Sequence, residues 1–267
     1  MVHHPSFNHL INYIMREIFL FFTIISSNFI FSQKSVKIIY EQKFIRSDSF
    51  FNQIPEKDRE SLKEIMNKAE VHVLMCNENA SLYKNADLKE VVIPGKGLVA
   101  PNTIDQGLVF KPYKNWLFKD YSNNAVIELK KVDENEYYIK RPFRKEEFIF
   151  DEKKKIIEGF NCKSAFLVKP NNDTIQYWYT QDIPVLDGPV DDINLPGLIL
   201  SIESKKKMIY AIRIEFSDTE YPLDKLKKSI PFITEVEYEQ YKSDALKPKS
   251  YQDASGNKHE TKSVIIK

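Results

Sequence analysis

Short runs in which apolar and polar residues alternate dominate the chain. Val36, Ile38 and Tyr40 alternate with Lys37 and Glu41, and Val71, Val73 and Met75 form a second run ended by Asn77-Glu78-Asn79. Trp116 with Phe118, Ala125 to Lys130, Tyr137 to Lys140 and Glu147 to Phe150 follow, with Asp133-Glu134-Asn135 as a turn between them. Phe160 to Lys169 and Thr174 to Thr180 flank Pro170-Asn171-Asn172-Asp173, a hairpin signal. Leu198, Leu200 and Ile202 alternate with Ser201 and Glu203; Tyr210, Ile212, Ile214 and Phe216 alternate with Ala211, Arg213 and Glu215. A period of two means a strand with one face toward the core, so about ten strands are expected, a mainly β fold. The expected architecture is a single curved antiparallel sheet, half-barrel or bowl-like, with two short helices.

The first helix is predicted over Asp58 to Ala69, where Leu62, Ile65, Met66 and Ala69 share one face. The second starts at Thr234, whose hydroxyl, with Glu237 three residues on, forms a capping-box pattern, and it carries Tyr238, Tyr241 and Ala245 on one face. Residues 85–110 read as a long Gly/Pro-containing connection, and 247–267 as a polar flexible tail. No internal repeat or linker divides residues 33–246, which read as one domain.

Residues 1–32 differ from all of this. Arg16 precedes the apolar stretch Ile18 to Phe31, which is too short for a comfortable bilayer span of about 20 residues but fits the apolar part of a signal peptide. Cleavage after Ser32 is expected, with translation starting at Met15 and residues 1–14 as an upstream extension. No Cys follows the apolar stretch directly, so the expectation is an exported protein of the periplasm or outer surface, not a lipoprotein, without a transmembrane span after cleavage.

Charge and composition remove several function classes. The net charge of +1 leaves no basic excess to neutralise phosphates, which argues against nucleic acid as partner. Only His72 and His259 lie beyond the leader, so a multi-His zinc centre is ruled out, and no cofactor motif is present. Cys76 and Cys162 are the two cysteines; in an oxidising compartment they form one possible disulfide, the alternative being two separate buried thiols.

The most distinctive stretch runs Tyr177-Trp178-Tyr179-Thr180, then Gly188-Pro189, then Asn194-Leu195-Pro196-Gly197-Leu198-Ile199. With Gly159-Phe160-Asn161-Cys162-Lys163-Ser164-Ala165 it resembles the GLPGLI family of exported envelope proteins, over about Tyr138 to Glu203. Asn194 stands where that family has its first Gly. The resemblance implies a curved antiparallel sheet, similar to the bowl-like domain that precedes the catalytic part of some secreted glycan amidases; it carries over no catalytic residue. Read physically, Pro196-Gly197 suits a type II turn with Gly at positive φ, and Asn194 suits a tight turn. The functional alternative makes the 181–197 loop the rim of a concave sheet, with Tyr177, Trp178 and Tyr179 as an aromatic floor.

Asp182, Asp187, Asp191 and Asp192 give that loop four carboxylates. Their spacing matches no calcium loop, and a solvated acidic loop is expected. The favoured reading is a non-enzymatic binding or scaffold protein that holds an apolar ligand or an envelope-protein segment on the concave face. The alternatives are a hydrolase of envelope or glycan material using the Asp-rich loop 182–192, and an accessory domain of a larger envelope assembly.

Overall fold

The computed structural model describes residues 35–52, 56–86, 91–93, 108–110, 114–170, 173–191, 194–247, 249–252 and 258–261. Residues 1–32, read above as a signal peptide with an upstream extension, and Asp192 lie outside the described residues.

Twelve strands form one open sheet. In chain order they are β1 (Ser35–Phe44), β2 (Glu70–Cys76), β3 (Ala80–Asn85), β6 (Trp116–Asp120), β7 (Ala125–Val132), β8 (Asn135–Pro142), β9 (Ile149–Ile157), β10 (Phe160–Val168), β11 (Thr174–Thr180), β12 (Leu198–Glu203), β13 (Lys207–Ser217) and β14 (Phe232–Ile233). Their spatial order is β14-β8-β7-β6-β3-β2-β1-β13-β12-β11-β10-β9. Every pairing is antiparallel except β14 with β8. Two small hairpins stand apart, β4 (Val91–Ile93) with β5 (Leu108–Phe110), and β15 (Lys249–Gln252) with β16 (Lys258–Thr261). The long connection and the polar tail therefore each hold a hairpin that their sequences do not announce.

The expected helices form as α2 (Glu56–Asn67) and α3 (Glu235–Ala245); a four-residue turn of helix, α1 (Asp48–Phe51), precedes them. Thr234 caps α3 with the reciprocal Glu237 contact that the sequence implies, satisfying backbone donors at both positions. Tight hairpins use residues at positive φ: Asn124, Asp133, and the pair Glu158-Gly159. Two consecutive positive-φ residues match the twist of a two-residue β-hairpin.

The sheet is strongly curved. Between β12 and β6 lie five strand steps, which on a flat sheet is about 24 Å. Yet Asp187 touches both strands: its carbonyl accepts from Ile199 N–H of β12 at 2.8 Å, and its carboxylate is bound by Lys119 of β6. The enclosed face is filled by one continuous core that includes Ile38 and Tyr40 of β1, Leu74 of β2, Tyr83 of β3, Val126 of β7, Ala165 of β10 and Tyr177 of β11. A second, smaller core lies on the other face, where Val73, Met75, Leu82, Trp116, Ile127 and Tyr138 are covered by Ile230 with Tyr221 and Leu223.

Bulges decide which residues face inward. In the β1–β13 pairing Ile39 opposes Arg213 but Tyr40 opposes Ala211, leaving Ile212 as the extra residue. One extra residue reverses the faces beyond it. The single alternating face expected for Tyr210 to Phe216 is therefore broken: Ile209 and Ala211 are buried, and Ile212 is exposed. On β12, Leu200 is left over between Ile199 and Ser201 in the pairing with β11. At the β9 edge, a register irregularity and Lys153, Lys154 and Lys155 disfavour further strand addition.

The motif glycines are explained by packing. Neither Gly188 nor Gly197 has positive φ, so the expected type II turn glycine is absent. A Cβ on Gly197 would overlap the Thr180 carbonyl, and one on Gly188 would lie 2.7 Å from Ile199 Cβ. Asn194 instead ties the loop to the 143–148 segment, accepting from Glu146 N–H and donating to Glu146 C=O. Gly197→Ala forces backbone apart, and a loss of about 2–3 kcal/mol or more is expected in urea unfolding; an exposed substitution such as Lys205→Ala, measured alongside, shifts stability by less than about 0.5 kcal/mol.

Candidate functional site

The 181–197 loop folds into the bowl. Ile183 and Leu195 are buried against the sheet together with Leu198 and Ile199. The concave apolar surface expected to receive a ligand is therefore occupied by the chain's own loop. The aromatic floor is core as well. Tyr177 meets Phe148 edge-on at 5.0 Å, Tyr179 meets Phe150 at 6.3 Å, and the Lys155 ammonium lies 4.2 Å from the Trp178 ring centre. Thr180 is buried and its Oγ1 accepts from Asp182 N–H at 3.1 Å. Of the signature residues, Pro189 reaches a groove, described below; Pro196 is exposed.

The loop carboxylates do not converge. Asp182 accepts from Asn161 N–H at 3.0 Å at the start of β10. Asp191 meets Arg141 and Arg144. Asp187 is fully buried, against the expectation of a solvated loop. Lys119, Tyr121 and Cys76 donate to its carboxylate, and so does Gly188 N–H at 2.6 Å. The Lys119 ammonium, equally buried, also donates to Gly188 C=O at 2.7 Å. Burial satisfies this ion pair with further hydrogen bonds, the condition under which two charges survive removal from water. Burial first, and then the Asp187 charge, push the Cys76 thiol and the Tyr121 hydroxyl well up, so both stay protonated donors. Nothing here leaves Asp187 free for acid or base work. Cys76 and Cys162 are both free thiols on β2 and β10, the second pushed up to about 11 by burial; the disulfide is not formed.

An open site lies beside this cage. A groove of about 420 Å³ runs over β6, β7 and β8, between the Pro189–Asp191 segment and α3. Its walls carry Glu128, Lys130, Arg141, Arg144, Asp191, Lys207, Glu235, Glu239 and Lys242, with Asn115 and Tyr238. Each groove carboxylate has a cation beside it. Glu128 meets Lys130 and, at 3.8 Å, Arg141; Asp191 meets Arg141 and Arg144; Glu235 meets Arg144 at 2.8 Å; Glu239 meets Lys242 at 3.1 Å. Two atoms are buried without a hydrogen-bond partner, Arg141 Nη1 and Asp191 Oδ2. The Asp191 oxygen lies in ion-pair contact with the other guanidinium nitrogen, Arg141 Nη2, without hydrogen-bonding geometry, whereas Arg141 Nη1 meets no acceptor. A polar site with under-used donors and acceptors suits a ligand dense in hydroxyls.

Beyond Lys207 the enclosed face turns polar. His72 is fully buried, its Nε2 3.0 Å from Asn85 Nδ2 and 3.7 Å from Glu70, while its Nδ1 has no partner. Asn85 Oδ1 accepts from Asn115 N–H at the groove wall, which joins the two regions. Burial lowers the His72 pKa to about 4, with the Lys207 charge adding to the effect. The sequence singled out His72 as a histidine but gave no signal for Arg141, Lys207 or Glu128, whose meeting depends on strand register.

Residues 74–242 match the family model described as N-glycanase peptide, N-terminal domain. The chain belongs to that family. Two crystal structures of PNGF-II are similar to it. The one in space group P21 shares 18% identity at a TM-score of 0.51, over 83% of this chain and 37% of its own. The one in C2 shares 16% at 0.47, over 82% and 35%. This chain thus spans little more than a third of the length of either. At this identity the P21 structure establishes the fold, a β-rich N-glycanase N-terminal domain. No match is found among curated proteins. No helix among the described residues is long and apolar enough to cross a membrane.

Two outcomes test the geometry of this N-glycanase-type domain. Lys119→Met leaves Asp187 buried and unpaired and costs about 3–5 kcal/mol in urea unfolding, while Lys119→Met combined with Asp187→Leu recovers part of it. His72 binds its proton more weakly folded, at about 4, than unfolded, at 6.5. The unfolded state therefore takes up the extra proton, and stability falls as pH drops from about 6.5 towards 4, by about 3 kcal/mol for this group. His72→Gln flattens that part of the stability-against-pH curve.

Proposed function

We propose that the chain serves glycan hydrolysis of the N-glycanase type as the domain that holds the glycan. Membership of the N-glycanase N-terminal family supports the glycan class. The observation that carries the site is the groove, mainly polar with Leu117, Ile139 and Val190 among its lining residues, and with Arg141 Nη1 buried and without a hydrogen-bond partner at its wall. A sugar hydroxyl oxygen can accept from Arg141 Nη1, and an aromatic ring, Tyr238, is at hand on α3. Every groove carboxylate is paired with Lys or Arg, an arrangement for binding rather than for general acid catalysis.

The reading replaces an apolar cargo on the concave face, because the chain's own loop fills that surface. It keeps the glycan-hydrolase class but not the Asp-rich loop as its machinery, since Asp182, Asp187 and Asp191 are directed to separate structural contacts. An exported, envelope setting fits the leader-like segment 18–31 and places the domain where glycoproteins are met. The GLPGLI-like stretch 138–203 lies wholly inside the matched residues, and we take both as marks of one bowl-like fold.

The test is calorimetric titration of the full chain with a free, neutral N-glycan. Saturable binding is expected, weakened about tenfold by Arg141→Ala, as for the loss of one charged hydrogen-bond donor. Absence of binding, or binding indifferent to Arg141→Ala, overturns the groove assignment.

A further inference from the structure

The groove holds five cations, Lys130, Arg141, Arg144, Lys207 and Lys242, and four of them lie against carboxylates. Lys207 is different. Among the described residues its ammonium has no carboxylate within 4.0 Å and no hydrogen-bond acceptor. It is not a free surface lysine. It begins β13, its backbone is paired opposite Phe44 of β1, and its C=O accepts from Ser204 N–H and Ser204 Oγ across the turn. Burial lowers its pKa, which marks a charge that is poorly hydrated where it sits. Glu70, the acid whose charge acts on it, stands beyond contact distance and is engaged elsewhere, with Gln42 Nε2 at 3.4 Å and His72 Nε2 at 3.7 Å. A partly dehydrated ammonium, carried by a strand whose backbone is held in place and lining a ligand-sized groove, lacks one thing, an anionic oxygen supplied from outside.

We propose that the Lys207 end of the groove is a subsite for the acidic group of a charged sugar, so that the domain prefers anionic glycans over neutral ones. This rests on the glycan reading above and deepens it. Arg141 Nη1 answers hydroxyls common to all glycans; Lys207 adds selectivity for a carboxylate or sulfate. Such an oxygen gains a charge-assisted hydrogen bond where water competes weakly, so the preference is set by one residue.

The experiment compares three forms of one N-glycan, neutral, sialylated and sulfated, by calorimetric titration of the full chain at low and at physiological ionic strength. The expected result is tighter binding of an anionic form by about tenfold, diminished by salt. Lys207→Met brings the anionic-to-neutral ratio close to one, and Lys207→Arg preserves it; circular dichroism verifies that both variants are folded. A rise with the sialylated form alone identifies the carboxylate, and with the sulfated form alone the sulfate. Neutral binding with no anionic preference, or a preference that survives Lys207→Met, overturns this inference and leaves the glycan reading standing. No binding of any form overturns both.

Discussion

A lysine and an aspartate, both removed from water, hold the two halves of this sheet against each other. Lys119 comes from the middle of one half, Asp187 from a loop that runs beside the other, and their pairing closes a span that a flat sheet would leave open. Two buried charges stabilise only when each lone pair and each proton finds a partner. Here Tyr121, Cys76 and Gly188 complete the set. The consequence reaches outward. With Asp187 fixed, Gly188 is pressed on Ile199, Pro189 and Asp191 are delivered to the groove, and the apolar face of the bowl is sealed.

That arrangement separates two roles that the loop's sequence mixes together. Its acidic residues look like one cluster along the chain, yet one is a structural counter-ion, one caps the start of β10 and one stands at the groove wall. The glycines and the aromatic strand likewise serve packing. The groove's charged side chains come instead from β7, β8, β13, α3 and the segments beside them, which no local motif connects. Family membership motivates the glycan reading proposed for this groove, and Lys207 is the groove cation with no carboxylate against it among the described residues.

Much of the fold was legible because its cause is local. A period of two forces a strand with one buried face, and β1, β6, β7, β10, β11 and β12 fall where alternation places them. The capping box of α3 is a four-residue event and formed as read. Where the reading failed, a non-local contact had intervened. The bulge at Ile212 reverses the faces of β13, because register with β1 is set by the partner strand and not by the alternation of β13 itself. Gly197 was read as a turn former from its Pro neighbour, whereas its need for no side chain comes from the Thr180 carbonyl on another strand.

The sequence by itself determined the mainly β class, the helix positions and the near-neutral charge. It did so because propensity, periodicity and composition act within a few residues or over the whole chain. Only the tertiary structure decided that Asp187 is buried and paired, that the bowl is filled by its own loop, and that Arg141 and Lys207 share a groove. Those outcomes depend on which strands become neighbours and how far the sheet curls. Both are settled by contacts between residues far apart in sequence, such as Lys119 and Asp187, that leave no trace in local pattern.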